Sequence, residues 1–356
     1  MLLFQKFLSR LYLRKVLLLF VAFELFFVGF DLLRNLKRLP DSANLQILYA
    51  VNKFLEFINY TLPLSLIFAL LLAMLQIIKS NELVTLYALG VSKERVVKPF
   101  VIIASLLTLL YIGLNTLPYF VQSLETTNNI RRMGTISSVS ASIFLKSGEN
   151  YAYIEQLNPH DKSAIGMKIF KIDDGKLTEI IEAGRGHFRN DHWELEDVTI
   201  MHKPHITPDN VAEVKLTITT HKTRDVLRGF TPRIIDTLFQ SSPRLTIQDS
   251  FSALTLLGKQ NLRTEKIRAN LYMMLFFPLF APITLFGLFF LFPPQHRGAN
   301  LPLFTTLVIF GTLVVWGILF TLTQIALNGA ISPEAGIILP IVLLSVAAWY
   351  IYRKYR

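Results

Sequence analysis

The chain has 356 residues, 52% of them hydrophobic, with no cysteine and a formal net charge of +11. The lack of cysteine excludes disulfides, thiolate metal sites and a cysteine nucleophile. Residues 119–269 hold 20 Lys and Arg against 18 Asp and Glu, so the positive surplus lies beside the apolar ends and argues against a nucleic-acid groove.

In chain order, Lys6, Arg10, Arg14 and Lys15 precede an apolar run over residues 16–33. The run contains Glu24, ends in Asp31 and Arg34, and has no small-residue cleavage site, which predicts a retained helix rather than a cleaved signal peptide. Further runs cover 60–78, 100–117, 271–292, 303–327 and 335–352. Each is long enough to cross a hydrocarbon layer of ~30 Å. The predicted fold class is therefore an α-helical membrane protein with six transmembrane helices, three plus three around an inserted all-β domain.

The positive-inside rule orients the spans. The N-terminal basic cluster, a loop with Lys79, Lys93, Arg95 and Lys98, a loop with Arg297, and the tail with Arg353, Lys354 and Arg356 fall on one side, which is then the cytoplasm. The loop over 328–334 has no Lys or Arg. The central domain is expected on the other side.

The helix over 80–90 in the cytoplasmic loop is the first candidate site. Leu83, Leu86, Tyr87 and Val91 share a helical face. Ser80 or Asn81 is placed to cap its start, Glu82 suits the positive helix end, Gly90 suits the position just past its end, and Ser92 is placed to cap the next helix. A short capped amphipathic helix between spans is either a docking surface for a cytoplasmic partner or an interfacial helix lying on lipid.

Arg34, Lys37 and Arg38 follow the first span on its outer side, against the charge rule. At helical spacing they share a face, and Asp31 is placed to neutralise one. Such a cluster suits lipid phosphates, with Arg131 and Arg132 as further members; snorkelling to anionic lipid is the competing reading. Glu24 is an intramembrane acid, read as a polar contact with a neighbouring helix or partner.

Over residues 136–221 the hydrophobic period changes to two, as in 152–155, 167–172, 193–198 and 214–218. Turn signals fall at 173–176, 190–192 and 203–204. Short antiparallel strands at this spacing predict a sandwich, jelly roll or open barrel, serving either as structure or as an apolar trough for an acyl chain. From 246 to 268 the period is helical again, with Phe251, Leu254, Leu257 and Leu262 on one face. No phosphate-binding lysine loop, dinucleotide fingerprint or serine elbow is present. His187, His192, His202 and His205 lack zinc spacing, so no metal and no catalysis are expected.

Several motifs in order give the chain a resemblance. They are Asn81-Glu82-Leu83 with Ala88-Leu89-Gly90-Val91-Ser92, Leu62-Pro63-Leu64 opening the second span, Phe277-Pro278-Leu279 in the fourth, and the stretch over 259–263. With the three-plus-three layout, they resemble the lipopolysaccharide-export permease family (LptF/LptG) over nearly the whole chain. Residues 192–198 are more similar to the LptG branch. The resemblance implies a permease subunit of an ABC-type exporter that pairs with a homologous permease over two copies of a cytoplasmic ATPase. It implies no cofactor of its own, ATP being bound by the ATPase. A single-span periplasmic partner with a β-jellyroll would continue the path for lipopolysaccharide towards the outer membrane.

The domains expected on this basis are helices 1–3 with the coupling helix (1–118), a periplasmic β-jellyroll-like domain (119–245), and a juxtamembrane helix with spans 4–6 (246–356). Glu82, Leu83, Leu86, Tyr87 and Gly90 carry over as the ATPase-coupling element. Lys37 and Arg38 match basic residues of the family, whereas Asp31 stands where some relatives are basic. A membrane-anchored sensor or scaffold without transport activity is the rival reading, and an ion-coupled transporter a weaker third, for which Pro278 and Pro282 are the only hint of a broken helix.

Overall fold

The computed structural model describes residues 3–133, 140–147, 150–159, 161–173, 175–203, 216–239, 245–258, 264–295 and 300–356. Asp174, Pro204, His205, Leu262, Arg297 and the motif over 259–263 lie outside the described residues.

In chain order the elements begin with α1 (Leu3–Asn35), a 3-10 turn (Leu36–Arg38), α2 (Ala43–Lys79), α3 (Glu82–Ala88), α4 (Lys93–Leu114) and α5 (Pro118–Met133). Six strands follow: β1 (Ser140–Ser147), β2 (Asn150–Asn158), β3 (Ser163–Asp173), β4 (Lys176–Arg189), β5 (His192–His202) and β6 (Thr217–Val226). Then come α6 (Pro232–Phe239), α7 (Ile247–Gly258), α8 (Glu265–Leu275), a second 3-10 turn (Phe277–Leu279), α9 (Phe280–Leu291), α10 (Leu301–Leu327), a π turn (Glu334–Ile338) and α11 (Leu339–Tyr355). The chain divides into a helical unit (Met1–Gly134, Thr246–Ser250, Glu265–Arg356) and a second unit (Thr135–Leu245, Phe251–Thr264) built on the sheet.

Among the described residues, the helical unit holds six stretches long and apolar enough to cross a membrane: Leu3–Arg38, Ala43–Lys79, Lys93–Leu114, Glu265–Leu291, Leu301–Leu327 and Glu334–Tyr355. The second is the hub, with most of its apolar stretch buried, while the first, fifth and sixth turn theirs outward. Lipid tails are as apolar as leucine, so close packing and internal hydrogen bonds must hold such helices together. Tyr12 of α1 does both: its hydroxyl donates to the Leu66 carbonyl at 2.9 Å and its ring meets Phe100 of α4 edge-on at 5.3 Å. Gly287 lets α9 approach α11, since a Cβ there would lie 3.2 Å from that of Ala348.

Helix α2 begins at Ala43, well before the apolar run that opened at 60. Its 37 residues make about 55 Å of helix at ~1.5 Å per residue, more than a bilayer core requires. Pro63 is accordingly inside the helix, not at its opening. Residues 119–133, grouped with the β domain on sequence, belong to α5, which packs on α2. The fourth span is interrupted by the 3-10 turn at Pro278, where proline removes a backbone donor.

The second unit is one antiparallel sheet of six described strands in sequence order, a meander. Register follows the alternation. Leu145, Ala152, Ile169, Ile181 and Ile200 form one row across five strands, and Ile143, Ile154, Met167 and Ala183 a second. All nine are buried. The Greek-key crossing of a full jelly roll does not occur among the described strands, because each strand pairs with its sequence neighbour. Asn190 and Asp191, both with positive φ, form the tight β4–β5 turn that right-handed strand twist favours. Trp193 donates from Nε1 to the Phe230 carbonyl at 2.8 Å, and α6 packs on β1 and β2. The apolar face is therefore already covered, and an acyl chain would have to displace that cover.

On α7, Leu257 of the expected face is buried and Leu254 half-buried, but Phe251 is 54% exposed and Ala253 turns inward in its place. Thr246 caps α7 by accepting from the Asp249 N–H at 3.0 Å.

Candidate functional site

Three places concentrate the sequence-level candidates. The first is the corner formed by α2, α3 and α4. The expected side-chain cap at the start of α3 is not made: Ser80 closes α2, donating to the Gln76 and Ile77 carbonyls at 3.0 and 3.2 Å, and Asn81 takes a left-handed φ of 61° without a side-chain cap. The end of α3 follows expectation. The Val91 N–H reaches the Leu86 carbonyl at 3.1 Å and the Gly90 N–H reaches Tyr87 at 3.0 Å, the paired bonds of a Schellman end. Gly90 has φ +79°, a conformation that favours glycine. Ser92 then caps α4, its Oγ accepting from the Arg95 N–H at 3.4 Å.

The amphipathic face of α3 is turned into the protein. Leu83 is 1% exposed within the main core, with Leu86, Tyr87 and Val91 packed against that core. Burial pushes the Tyr87 hydroxyl up to about 12. What remains outside is Val84, Thr85, Ala88 and Leu89, the last 75% exposed. Glu82 stands in the first turn of α3, favoured by the helix dipole, and its Oε2 is enclosed without a hydrogen-bond partner among the described residues.

The second place is the C-terminal end of α1. Arg34, Lys37 and Arg38 are all exposed, and none has an ion-pair partner among the described residues. Asp31 does not neutralise them. Its Oδ2 accepts from the Tyr49 hydroxyl at 2.6 Å and its carbonyl from Asn35 Nδ2 at 3.0 Å. Leu39, Tyr49 and Ile130 bury one another, so the basic ends of α1 and α5 flank one apolar knot. Arg131 donates to Asn128 Oδ1 at 3.0 Å, and Arg132 is exposed.

Beneath this knot lies a polar layer that the sequence reading missed. Lys53 is 7% exposed and pairs with Glu56 at 2.8 Å, its ammonium also lying over the Phe57 ring at 5.4 Å. Thr127 of α5 donates to the same Glu56 oxygen at 3.4 Å, and Tyr111 of α4 donates to Asn59. Asn52, Glu56 and Asn59, with Lys53 beside the first, recur every three or four residues, a polar helical stripe visible in the sequence.

The third place is Glu24, 2% exposed. Thr61 of α2 donates to its Oε1 at 2.5 Å, while Oε2 has no partner among the described residues. Among those residues, no group of three His, Asp or Glu side chains is placed to hold a metal ion.

No match to the chain was found among curated proteins. A family model, "Lipopolysaccharide export system permease LptF/LptG", matches residues 6–354. With six spans around an inserted β domain and a match over nearly its whole length, this chain belongs to the LptF/LptG family of lipopolysaccharide export permeases.

Proposed function

We propose that the chain is the LptG-like permease of an ABC-type exporter that takes lipopolysaccharide from the outer leaflet of the inner membrane. On this reading the α3 corner and both ends of the chain are cytoplasmic and the sheet is periplasmic. A homologous permease completes the cavity, two copies of a separate ATPase dock below it, and a single-span partner extends the β path. Arg34, Lys37 and Arg38, with Arg131 and Arg132, hold headgroup phosphates; apolar span faces hold acyl chains.

One observation carries the reading: the basic cluster after α1 keeps its charge. Asp31, one turn before Arg34, is engaged by Tyr49, and neither it nor Asp41 forms an ion pair with the cluster among the described residues; exposed guanidinium and ammonium groups in that state suit phosphate oxygens. The corner supports a motor beneath. Because Leu83, Leu86 and Tyr87 are occupied internally, they position α3, and the ATPase would read Val84, Thr85, Ala88 and Leu89. Glu82 is partly exposed in the first turn of α3, so it offers that subunit a carboxylate for a cation.

The test is ATP-driven release of lipopolysaccharide from proteoliposomes holding the full complex. Reversing both charges, Lys37→Glu with Arg38→Glu, is expected to cut release while leaving the complex assembled. Unchanged release would remove these two residues from the mechanism.

A further inference from the structure

The α3–α4 corner is tied to the far half of the helical unit by a small clamp. Lys93 and Glu94 open α4, and α11 ends at Tyr355. The Tyr352 hydroxyl donates to Glu94 Oε1 at 2.7 Å. Arg356 Nε approaches the same oxygen at 2.5 Å, its guanidinium lying 5.8 Å over the Tyr352 ring. Lys93 Nζ donates to the Tyr355 carbonyl at 2.6 Å. The pairing is reciprocal: an acid sits at the positive end of α4, and a cation reaches a free carbonyl at the negative end of α11.

Tyr352 also faces the other way. Its ring lies 5.5 Å from Phe286 and 5.1 Å from Phe290, both on α9. One side chain thus has its hydroxyl on α4 and its ring in α9, two helices from opposite halves of the chain. Each contact at this exposed rim is weak alone, but all sit at one point, immediately after the Ser92 cap that ends the corner.

We propose that Tyr352 and Glu94 are positioning residues that transmit displacement of the α3–α4 corner to α9 and α11, linking ATP hydrolysis to movement of the lipid. This rests on the reading of α3 as the ATPase contact.

The test uses the full complex in proteoliposomes and reads lipopolysaccharide released per ATP hydrolysed. Tyr352→Phe keeps the ring stack and removes only the hydroxyl; Glu94→Gln removes the charge. Each is expected to leave hydrolysis within about twofold of the parent. Release per ATP should fall about fivefold or more, the lower range of measured coupling between sites. The double variant should be no worse than either single, because both break one link. Unchanged release per ATP in Tyr352→Phe, or fully additive losses in the double variant, would overturn the proposal. If Glu94→Gln lowers the yield of complex, Tyr352→Phe alone decides. Glu82→Lys separates the two readings. Loss of ATPase from the complex there, with Tyr352→Phe behaving as the parent, sinks only the clamp; a complex without ATPase before any substitution sinks both.

Discussion

Lys53 and Glu56 lie 2.8 Å apart with side chains 9% and 12% exposed, so replacing Lys53 by Met should leave a nearly buried carboxylate without its cation. Breaking a buried pair from one side costs about 3–5 kcal/mol, whereas replacing both members with apolar groups is often neutral or stabilising. Thr127 still reaches Glu56 at 3.4 Å, and Glu56 keeps some access to solvent, so the expected loss for Lys53→Met is at the low end, about 3 kcal/mol. Lys53→Met with Glu56→Leu should recover most of it. The assay is the thermal midpoint of the full chain in detergent for both singles and the double. Because the pair also ties α2 to α5 through Thr127, the single variant should speed hydrogen exchange in α5 more than in α11. A double variant as unstable as the sum of its singles would refute the buried-pair account.

Three further outcomes follow from local geometry. Gly90→Ala meets no neighbour within 4 Å but must hold φ +79°; it should cost about 1–2 kcal/mol through left-handed strain, visible as faster hydrogen exchange at residues 86–91, and unchanged exchange there would contradict it. Gly336→Ala would put a Cβ 2.7 Å from that of Ala326 and 2.9 Å from Ile331 Cδ1, an overpacking loss of about 1–3 kcal/mol, whereas Gly113→Ala, with open space, should not lower the thermal midpoint. In the sheet, burial raises the Glu179 carboxyl, but Lys171 at 2.7 Å and Arg224 at 2.9 Å outweigh it and hold it below its ordinary value. A depressed acid stabilises the fold above its unfolded pKa, and that contribution disappears as pH falls through the folded one. Exchange protection of β4 and β5 should therefore drop on acidification in the parent, and drop less in Glu179→Gln; identical acid profiles would rule this out.

What the sequence made legible depended on period and on turn chemistry. The six apolar runs announced themselves by length, and strands β2, β3 and β5 by alternation, because membrane and sheet burial leave strong one-dimensional patterns. Gly90 and Ser92 were legible because a left-handed helix end and a helix cap each demand a particular kind of residue. The N-terminal half of α2 and all of α5 were not, since their apolar residues are diluted by Asn52, Lys53, Glu56, Thr127 and Asn129, of which Glu56 and Thr127 meet only once the two helices pack. The α3 face was read correctly as apolar, but spacing cannot say whether such a face meets a partner or its own core; Leu83 at 1% exposure shows the latter. Asp31 was expected among the neighbouring cations, and only the return of α2 brought Tyr49 within 2.6 Å. The clamp at Glu94 joins residues 258 positions apart, beyond any local pattern.

The most direct test of the account is the composition of the complex this chain forms when extracted intact from its native membrane in mild detergent and weighed by native mass spectrometry. The account predicts one copy of this chain, one homologous permease and two copies of a soluble ATPase, with the ATPase lost in Glu82→Lys. Recovery of the chain without any ATPase, or an unchanged complex in Glu82→Lys, would contradict it.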